Sequence, residues 1–421
     1  MRYGFIVLLA LTFIWSCGRK TEVAWIEVEN PLHQNWEDAF VDIDVHKIFP
    51  EENTNKKQIF RISEKNQVIP YQILSNGKIG ISLDFMPSEQ KRIKIEKGMK
   101  VAPSFIKRSH AELSIRQDGT FDGQKWSGGY FKTVDHLDET YKQLSQKGWL
   151  RYEGPGWESD KIGYRLYLDE RNAMDIFGKL THKMILPFVG HDTSSSYHEM
   201  NWWGMDILKV GETFGAGTFA LHDLSPGTFS ELLEQNTSSD IPFYMPKQVD
   251  HVVYNLIGDG PIRSGFEILY KGWNLGNHKV DIRARHYIAA GSYLTKHEIE
   301  VVKGQAGLVI GIIQPENAIH YQITTNPLID MVYGIPALSG DSLAVLLVIN
   351  EENVPFIQVN QQGSRLYFLD PGIKKVTFWS GALWQRNFVN QSFKDVCFKY
   401  ARKIKQKANN PLQIMYKRNQ Q

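Results

Sequence analysis

Three consecutive runs of two-residue alternation between positions 262 and 301 constrain this chain more than any other feature. In the first, Arg263, Glu267 and Lys271 oppose Ile262, Phe266, Ile268 and Tyr270. In the second, Asp281, Arg283, Arg285 and Tyr287 oppose Val280, Ile282, Ala284, His286 and Ile288. In the third, Lys296, Glu298 and Glu300 alternate with Thr295, His297, Ile299 and Val301. A period of two sends successive side chains to opposite faces of an extended backbone, so each run predicts a strand buried on one side only. Paired as an antiparallel meander, the three would line one sheet face with acids and bases. That face is either a solvated surface of cross-strand ion pairs, each worth ~0.2–1 kcal/mol, or the charged wall of a sugar-binding cleft. The cleft is the expectation carried forward.

The remainder is also β-rich. Val41, Ile43 and Val45 alternate with Asp42, Asp44 and His46, and Ile79, Ile81, Leu83 and Phe85 alternate with Gly80, Ser82 and Asp84. Glu51 to Lys57 reads as a charged loop and Asn76-Gly77 as a hairpin turn. Residues 22–102 therefore predict a small β-sandwich, and residues 104–408 a second, larger β domain. Leu137, Tyr141 and Leu144 fall at helical spacing and predict a short helix over 134–144. Further strands are expected at 162–168, 308–313, 343–348, 356–359 and 374–378. Ser392 caps a closing amphipathic helix whose stripe is Phe393, Val396, Cys397, Tyr400 and Ile404. Residues 409–421 are expected to be a tail.

The first residues bear on the compartment. Arg2, the apolar run Phe5 to Trp15 and the pair Ser16-Cys17 have the layout of a bacterial lipoprotein signal, residues 1–17, with Cys17 as the lipidated residue. The run is shorter than the ~20 apolar residues a membrane span needs. Gly18-Arg19-Lys20 follows, and the expectation is a periplasm-facing lipoprotein of a Gram-negative outer membrane. Only one other cysteine, Cys397, is present, which excludes a disulfide framework and a thiolate metal site and reads as a buried, inert thiol. A net charge of +2 from 48 basic and 46 acidic residues argues against nucleic acid as a partner.

Chemistry concentrates in Tyr197-His198-Glu199-Met200-Asn201-Trp202-Trp203-Gly204-Met205-Asp206. An imidazole, carboxylates, a phenol and two indoles suit a sugar, whose C–H faces lie on aromatic rings while its hydroxyls meet polar groups. A core strand with buried Trp residues and one satisfied His would look the same. Upstream, Glu153-Gly154-Pro155-Gly156-Trp157-Glu158-Ser159-Asp160 reads as a loop displaying carboxylates beside an indole. No nucleophile elbow, P-loop, dinucleotide fingerprint or His-Glu-x-x-His motif occurs, and no cofactor is expected. His191-Asp192 with His198, Glu199 and Asp206 meets no recognised metal-ligand spacing, so no metal is assigned.

The runs Gly154-Pro155-Gly156-Trp157-Glu158-Ser159-Asp160-Lys161-Ile162-Gly163-Tyr164-Arg165, Asn172-Ala173-Met174-Asp175-Ile176-Phe177-Gly178-Lys179, and Tyr197-His198-Glu199 through Gly204-Met205-Asp206-Ile207-Leu208 resemble those of a secreted bacterial family, domain of unknown function 4861. The resemblance implies a galactose-mutarotase-like antiparallel β-supersandwich after the small N-terminal sandwich, and a setting in the breakdown of uronate-rich, pectin-like polysaccharides. It brings no catalytic residues with it. The residues themselves suggest His198 as a base that takes a proton beside a uronate carboxylate, with Tyr197 as the acid towards the leaving oxygen. Arg263, Arg283 or Arg285 would grip the carboxylate, with Glu267, Lys271 and Asp281 on the same face. Trp157, Trp202 and Trp203 would form the sugar platform, and Glu158, Asp160, Glu199 and Asp206 would bind hydroxyls or orient the His. Two alternatives stay open: a hydrolase using two of these carboxylates, whose separation sequence cannot give, and a sugar-binding lipoprotein without chemistry. The expected partners are an acidic oligosaccharide and, through the N-terminal lipid anchor, the membrane.

Overall fold

A computed structural model describes residues 22–50, 59–98, 101–192, 196–235, 240–324, 326–349 and 355–417. The proposed signal with Cys17 and the loop Glu51 to Lys57 lie outside the described residues. No described helix is long and apolar enough to cross a membrane.

The meander forms as its alternation requires. Arg263–Asn274, Lys279–Ala289 and Leu294–Lys303 pair antiparallel in the centre of a nine-stranded sheet. The sheet runs in the order His136–Thr140, His251–Gly258, the three meander strands, Lys375–Trp384, Ser342–Ile349, Leu328–Pro336 and Ile319–Ile323. Its inner face carries Phe266, Ile268, Tyr270, Ile282, Ala284 and Ile299 into the main apolar core. Across that core lie two smaller sheets. One is ordered Gly204–Asp206, Met174–Lys179, Ile162–Leu166, Gly156–Ser159 and Ser109–Glu112; the other Thr218–His222, Gly307–Ile313, Ser364–Leu369 and Phe356–Gln361. The protein is thus mainly β, built from layered antiparallel sheets.

Helix Phe393–Asn409 covers part of the outer face of the nine-stranded sheet, laying Phe393, Cys397 and Ala401 on Met331, Leu346 and Leu383. Ser392 caps it by accepting from Asp395 N, and Cys397 is free and buried. The helix expected over 134–144 is shorter than its spacing suggested. Residues His136–Thr140 are extended and pair with His251–Gly258; only Tyr141–Leu144 turns, capped by the Thr140 side chain. Leu137 is there a strand residue, because cross-strand pairing outweighs a weak local periodicity.

The N-terminal sandwich has its own core of Ile26, Val28, Val41, Ile79, Ile81, Ile93 and neighbours. The Asn76-Gly77 turn forms, with Gly77 at φ +79°. The stretch expected to be a tail contains a strand: Gln413–Lys417 pairs with Glu22–Glu29 and closes that sheet's edge. The sandwich docks on the large domain through Gln72, whose amide oxygen accepts from Ile262 N and Arg263 N and whose nitrogen donates to Arg263 O.

Candidate functional site

The five-stranded sheet is unusual in burying polar side chains on its second face. Its strands alternate Trp157, Tyr164, Ile176 and Met205 into the core with Glu158, Arg165, Asp175, Phe177, Lys179 and Asp206 on the side away from it. That polar face is covered by residues 180–192 and 196–203, which lay Ile185, Leu186, Val189 and Trp203 over it around Phe177. Buried charges need partners, and here each has one.

Glu158 and Lys179, both wholly buried, form an ion pair 2.5 Å long. Glu158 also accepts from Ile185 N and Leu186 N, which pins the covering loop to the sheet. Burial lowers the Lys179 pKa, a shift that Glu158 opposes. Further along, Arg165 is the hub. Its guanidinium donates to Asp175 at 2.7 and 3.0 Å, to Asp206 at 2.8 Å, to Tyr167 Oη at 2.6 Å and to Tyr197 Oη at 3.1 Å. The rings of Tyr167, Tyr197 and Phe177 surround it. Burial disfavours the arginine charge, but Asp175 and Asp206 outweigh it and hold the pKa up. Burial likewise raises the Asp175 pKa, which Arg165 pulls back and the Asp206 charge pushes further up.

At the solvent end of this network stands His198. Its Nδ1 lies 3.3 Å from Asp206 Oδ2, and its side chain is 58% exposed while that of Asp206 is 2% exposed. The Tyr197 ring sits 4.3 Å from the imidazole. The hydrogen bond to Asp206 raises the His198 pKa; partial burial and the Arg165 charge oppose it. Asp206 Oδ1 is buried with no partner among the described residues. The segment is a turn rather than a strand until Gly204, whose φ of +125° and close approach to the Gly178 carbonyl leave no room for a Cβ. An imidazole held at one nitrogen by a buried carboxylate and open at the other is the arrangement of a general base.

The other expected residues separate into distinct places. Glu199 is exposed on the same turn. Trp202 is 60% exposed and meets the exposed Phe188 edge-on at 6.0 Å. Tyr197 turns its hydroxyl inward to Arg165, and burial raises its pKa, so it underlies His198 instead of presenting an acid to a ligand. Trp157 and Trp203 are core residues; Trp157 packs on Phe266 and donates to Thr295 Oγ1. Glu158 is sealed against Lys179, and Asp160 against Arg108 and Gly291 N. None of these four can line a platform or bind a hydroxyl without unpacking the core.

The meander charges lie on the outer face of the nine-stranded sheet. Two sheets and the core therefore stand between them and His198, so Arg263, Arg283 and Arg285 cannot hold a carboxylate there. They are mostly cross-strand pairs: Arg285 to Glu267 at 2.8 Å and Arg283 to Glu300 at 3.1 Å. Lys271 reaches Asp138, and Asp281 accepts from Gly272 N. His191 and Asp192 turn to Arg151 and Arg116. Among the described residues no group of three metal-ligating side chains converges.

Sequence reasoning missed Arg165, Asp175, Tyr167, Glu153 and Arg171. Glu153 Oε2 lies 3.7 Å from both Arg165 and Arg171, and Arg171 stacks on Tyr167. Arg171 also lines a groove of about 730 Å³ with Tyr141, Lys142, Asp169, Lys247 and Lys279. The available signal was an arginine and an aspartate at alternate positions in strands otherwise apolar.

A family profile, domain of unknown function 4861, matches residues 28–414. The chain belongs to that family. No curated protein matches it significantly in sequence. Among solved structures, it is similar to a protein in the glycosyl hydrolase family 38 from Enterococcus faecalis, at 6% identity and a TM-score of 0.45. It is also similar to an alpha-mannosidase from Enterococcus faecalis V583, at 7% and 0.44. These alignments cover 94% of this chain and 47% and 46% of the two neighbours, so the family 4861 chain spans about half their length.

Proposed function

We propose that this family 4861 protein is a carbohydrate-active lipoprotein that acts on uronic-acid-containing oligosaccharides by removing the proton next to the carboxylate, with His198 as the base. The observation that carries the reading is the His198–Asp206 pair: Nδ1 is held at 3.3 Å by a buried carboxylate while the histidine side chain is 58% exposed. In an elimination, His198 Nε2 takes the proton on the carbon bearing the carboxylate. The C–H electron pair forms the new double bond as the glycosidic C–O bond breaks, and the departing oxygen takes a proton. Because the Tyr197 hydroxyl faces Arg165, the protonated His198 is the group available to supply that proton, which favours a lyase over an epimerase. Arg171 lines the 730 Å³ groove and is linked through Glu153 to Arg165, but its guanidinium is paired with Asp169 at 2.5 Å, so a substrate carboxylate would have to displace Asp169 to be held there.

The hydrolase alternative loses support from the same geometry, since Glu158, Asp160, Asp206 and Glu267 are each committed to a cation. A sugar-binding role without chemistry is favoured by one feature, the exposed Trp202–Phe188 pair. Incubation with uronate oligosaccharides, following the absorbance of unsaturated uronate and product mass, separates the readings. Cleavage with rising absorbance, lost in His198→Ala, is expected. Binding with no turnover on any uronate substrate would leave only the sugar-binding role. The anchor belongs to the same reading, and fatty-acid labelling abolished by Cys17→Ser is its test.

A further inference from the structure

The outer face of the nine-stranded sheet and the N-terminal sandwich enclose a second groove of about 600 Å³. Its charges are matched in pairs: Lys78 with Asp42 at 2.9 Å, Arg285 with Glu267 at 2.8 Å, and Lys296 with Glu298 at 2.6 Å. One charge is left over. The Arg263 guanidinium is held between the rings of Phe40, from the sandwich, and Tyr287, from the sheet, at 5.4 and 4.7 Å. It has no hydrogen-bond acceptor or ion-pair partner among the described residues, while its backbone is fixed by Gln72. Burial of this unpaired cation depresses its pKa.

We infer that this interdomain groove is a binding site for a carboxylate-bearing sugar, with Arg263 gripping the carboxylate. The chemistry follows from the count of charges. A single uncompensated guanidinium matches a monoanion and leaves a phosphate dianion half neutralised. Its planar fork presents parallel N–H groups at the spacing of a carboxylate, and the flanking rings fix its orientation in advance. The rest of the wall is polar: Ser75 and Asn76 from the hairpin tip, and the heads of the paired side chains, are partners for hydroxyls. The volume lies within the range of ligand pockets. This site is separate from His198, on the far side of both sheets, and does not depend on the catalytic reading. It would hold an acidic glycan on the protein whatever chemistry occurs elsewhere.

Calorimetric titration of the purified chain with glucuronate, glucose, acetate and glucose 6-sulfate tests the inference. Glucuronate is expected to bind best, acetate more weakly and glucose not at all. Arg263→Gln should weaken glucuronate at least tenfold. Ser75→Trp, at an exposed hairpin residue on the groove wall, should do the same by filling the mouth. His198→Ala should leave this binding intact even where it abolishes turnover. The inference is overturned if glucuronate fails to bind, if glucose 6-sulfate binds as well as glucuronate, or if binding survives both groove variants. Loss of binding in His198→Ala but not in Arg263→Gln would also overturn it, assigning the sugar acid to the other face.

Discussion

Asp206 joins His198 to Arg165, with Oδ2 3.3 Å from the imidazole Nδ1 and 2.8 Å from the guanidinium Nη2. One carboxylate thereby both orients the exposed histidine and neutralises the buried arginine. If His198 is the base, its pKa sets the acid limb of the pH–rate profile. Because the bond to Asp206 raises that pKa, the limb should lie above 6.5, the ordinary histidine value. Asp206→Asn removes the largest raising influence and leaves burial and Arg165, which lower the pKa, opposed only by the Asp175 charge, so the limb should move to lower pH. His198→Ala should cost about 10²–10⁴-fold in kcat. A limb unmoved in Asp206→Asn would mean that His198 is not the titrating group.

Trp202 offers a cleaner test of ligand contact, because it is exposed and meets Phe188 edge-on. Trp202→Ala should weaken oligosaccharide binding by about 0.5–1.5 kcal/mol, up to roughly tenfold in Kd, with an unchanged urea midpoint. Trp203→Ala, by contrast, should lower stability by about 3–5 kcal/mol, as for other buried indoles.

The Glu158–Lys179 pair is wholly enclosed, and Glu158 also holds the backbone of the covering loop. Glu158→Gln leaves a buried ammonium without its counter-charge and should destabilise by about 3–5 kcal/mol in urea unfolding. Hydrogen exchange at Ile185 and Leu186 should accelerate in the variant; if these amides stay protected, the loop is held by its apolar contacts alone.

A pair of histidines in the core makes stability depend on pH in a defined direction. His286 and His297 share an Nδ1–Nδ1 hydrogen bond of 2.7 Å, and His297 reaches Ser380. Burial lowers the His286 pKa to about 3, and burial with the neighbouring His286 drives that of His297 well down. The folded state keeps both rings neutral, while the unfolded chain takes up protons below about pH 6.5. Stability should therefore be lost as pH falls through that value, by up to about 1.4 kcal/mol per pH unit for each ring. Urea unfolding at pH 8, 6.5 and 5 reads this slope, and His297→Gln should reduce it. An unchanged slope in the variant would refute the assignment.

What could be read from the sequence was what is local. The meander was legible because alternation every second residue reports burial without reference to anything distant, and its register bears this out: Arg285 faces both Glu267 and Glu298. The helix Phe393–Asn409 was legible through its cap and stripe. His198 and Asp206 were both singled out because they lie only eight positions apart. Arg165 and Asp175 were not, since their role depends on the covering residues 180–192 and 196–203. Trp157 and Trp203 misled because an indole has the same apolar area whether it serves as core or platform. For Trp157 the neighbours held a clue: it alternates with Glu158, so the two cannot face the same ligand.

A chain cut after Pro411 loses the strand Gln413–Lys417 and bares the edge of Glu22–Glu29. Hydrogen exchange across residues 22–29 should then accelerate while the meander stays protected; equal protection would mean that the terminal strand adds nothing to the sandwich.

That pairing also sets the order of assembly. Glu22–Glu29 is the earliest described strand, yet its neighbour on one side, Gln413–Lys417, follows every other described element in the chain. The sandwich sheet is therefore completed only after the strands of the larger domain have been made. Until then its open edge must be kept from pairing with other strands.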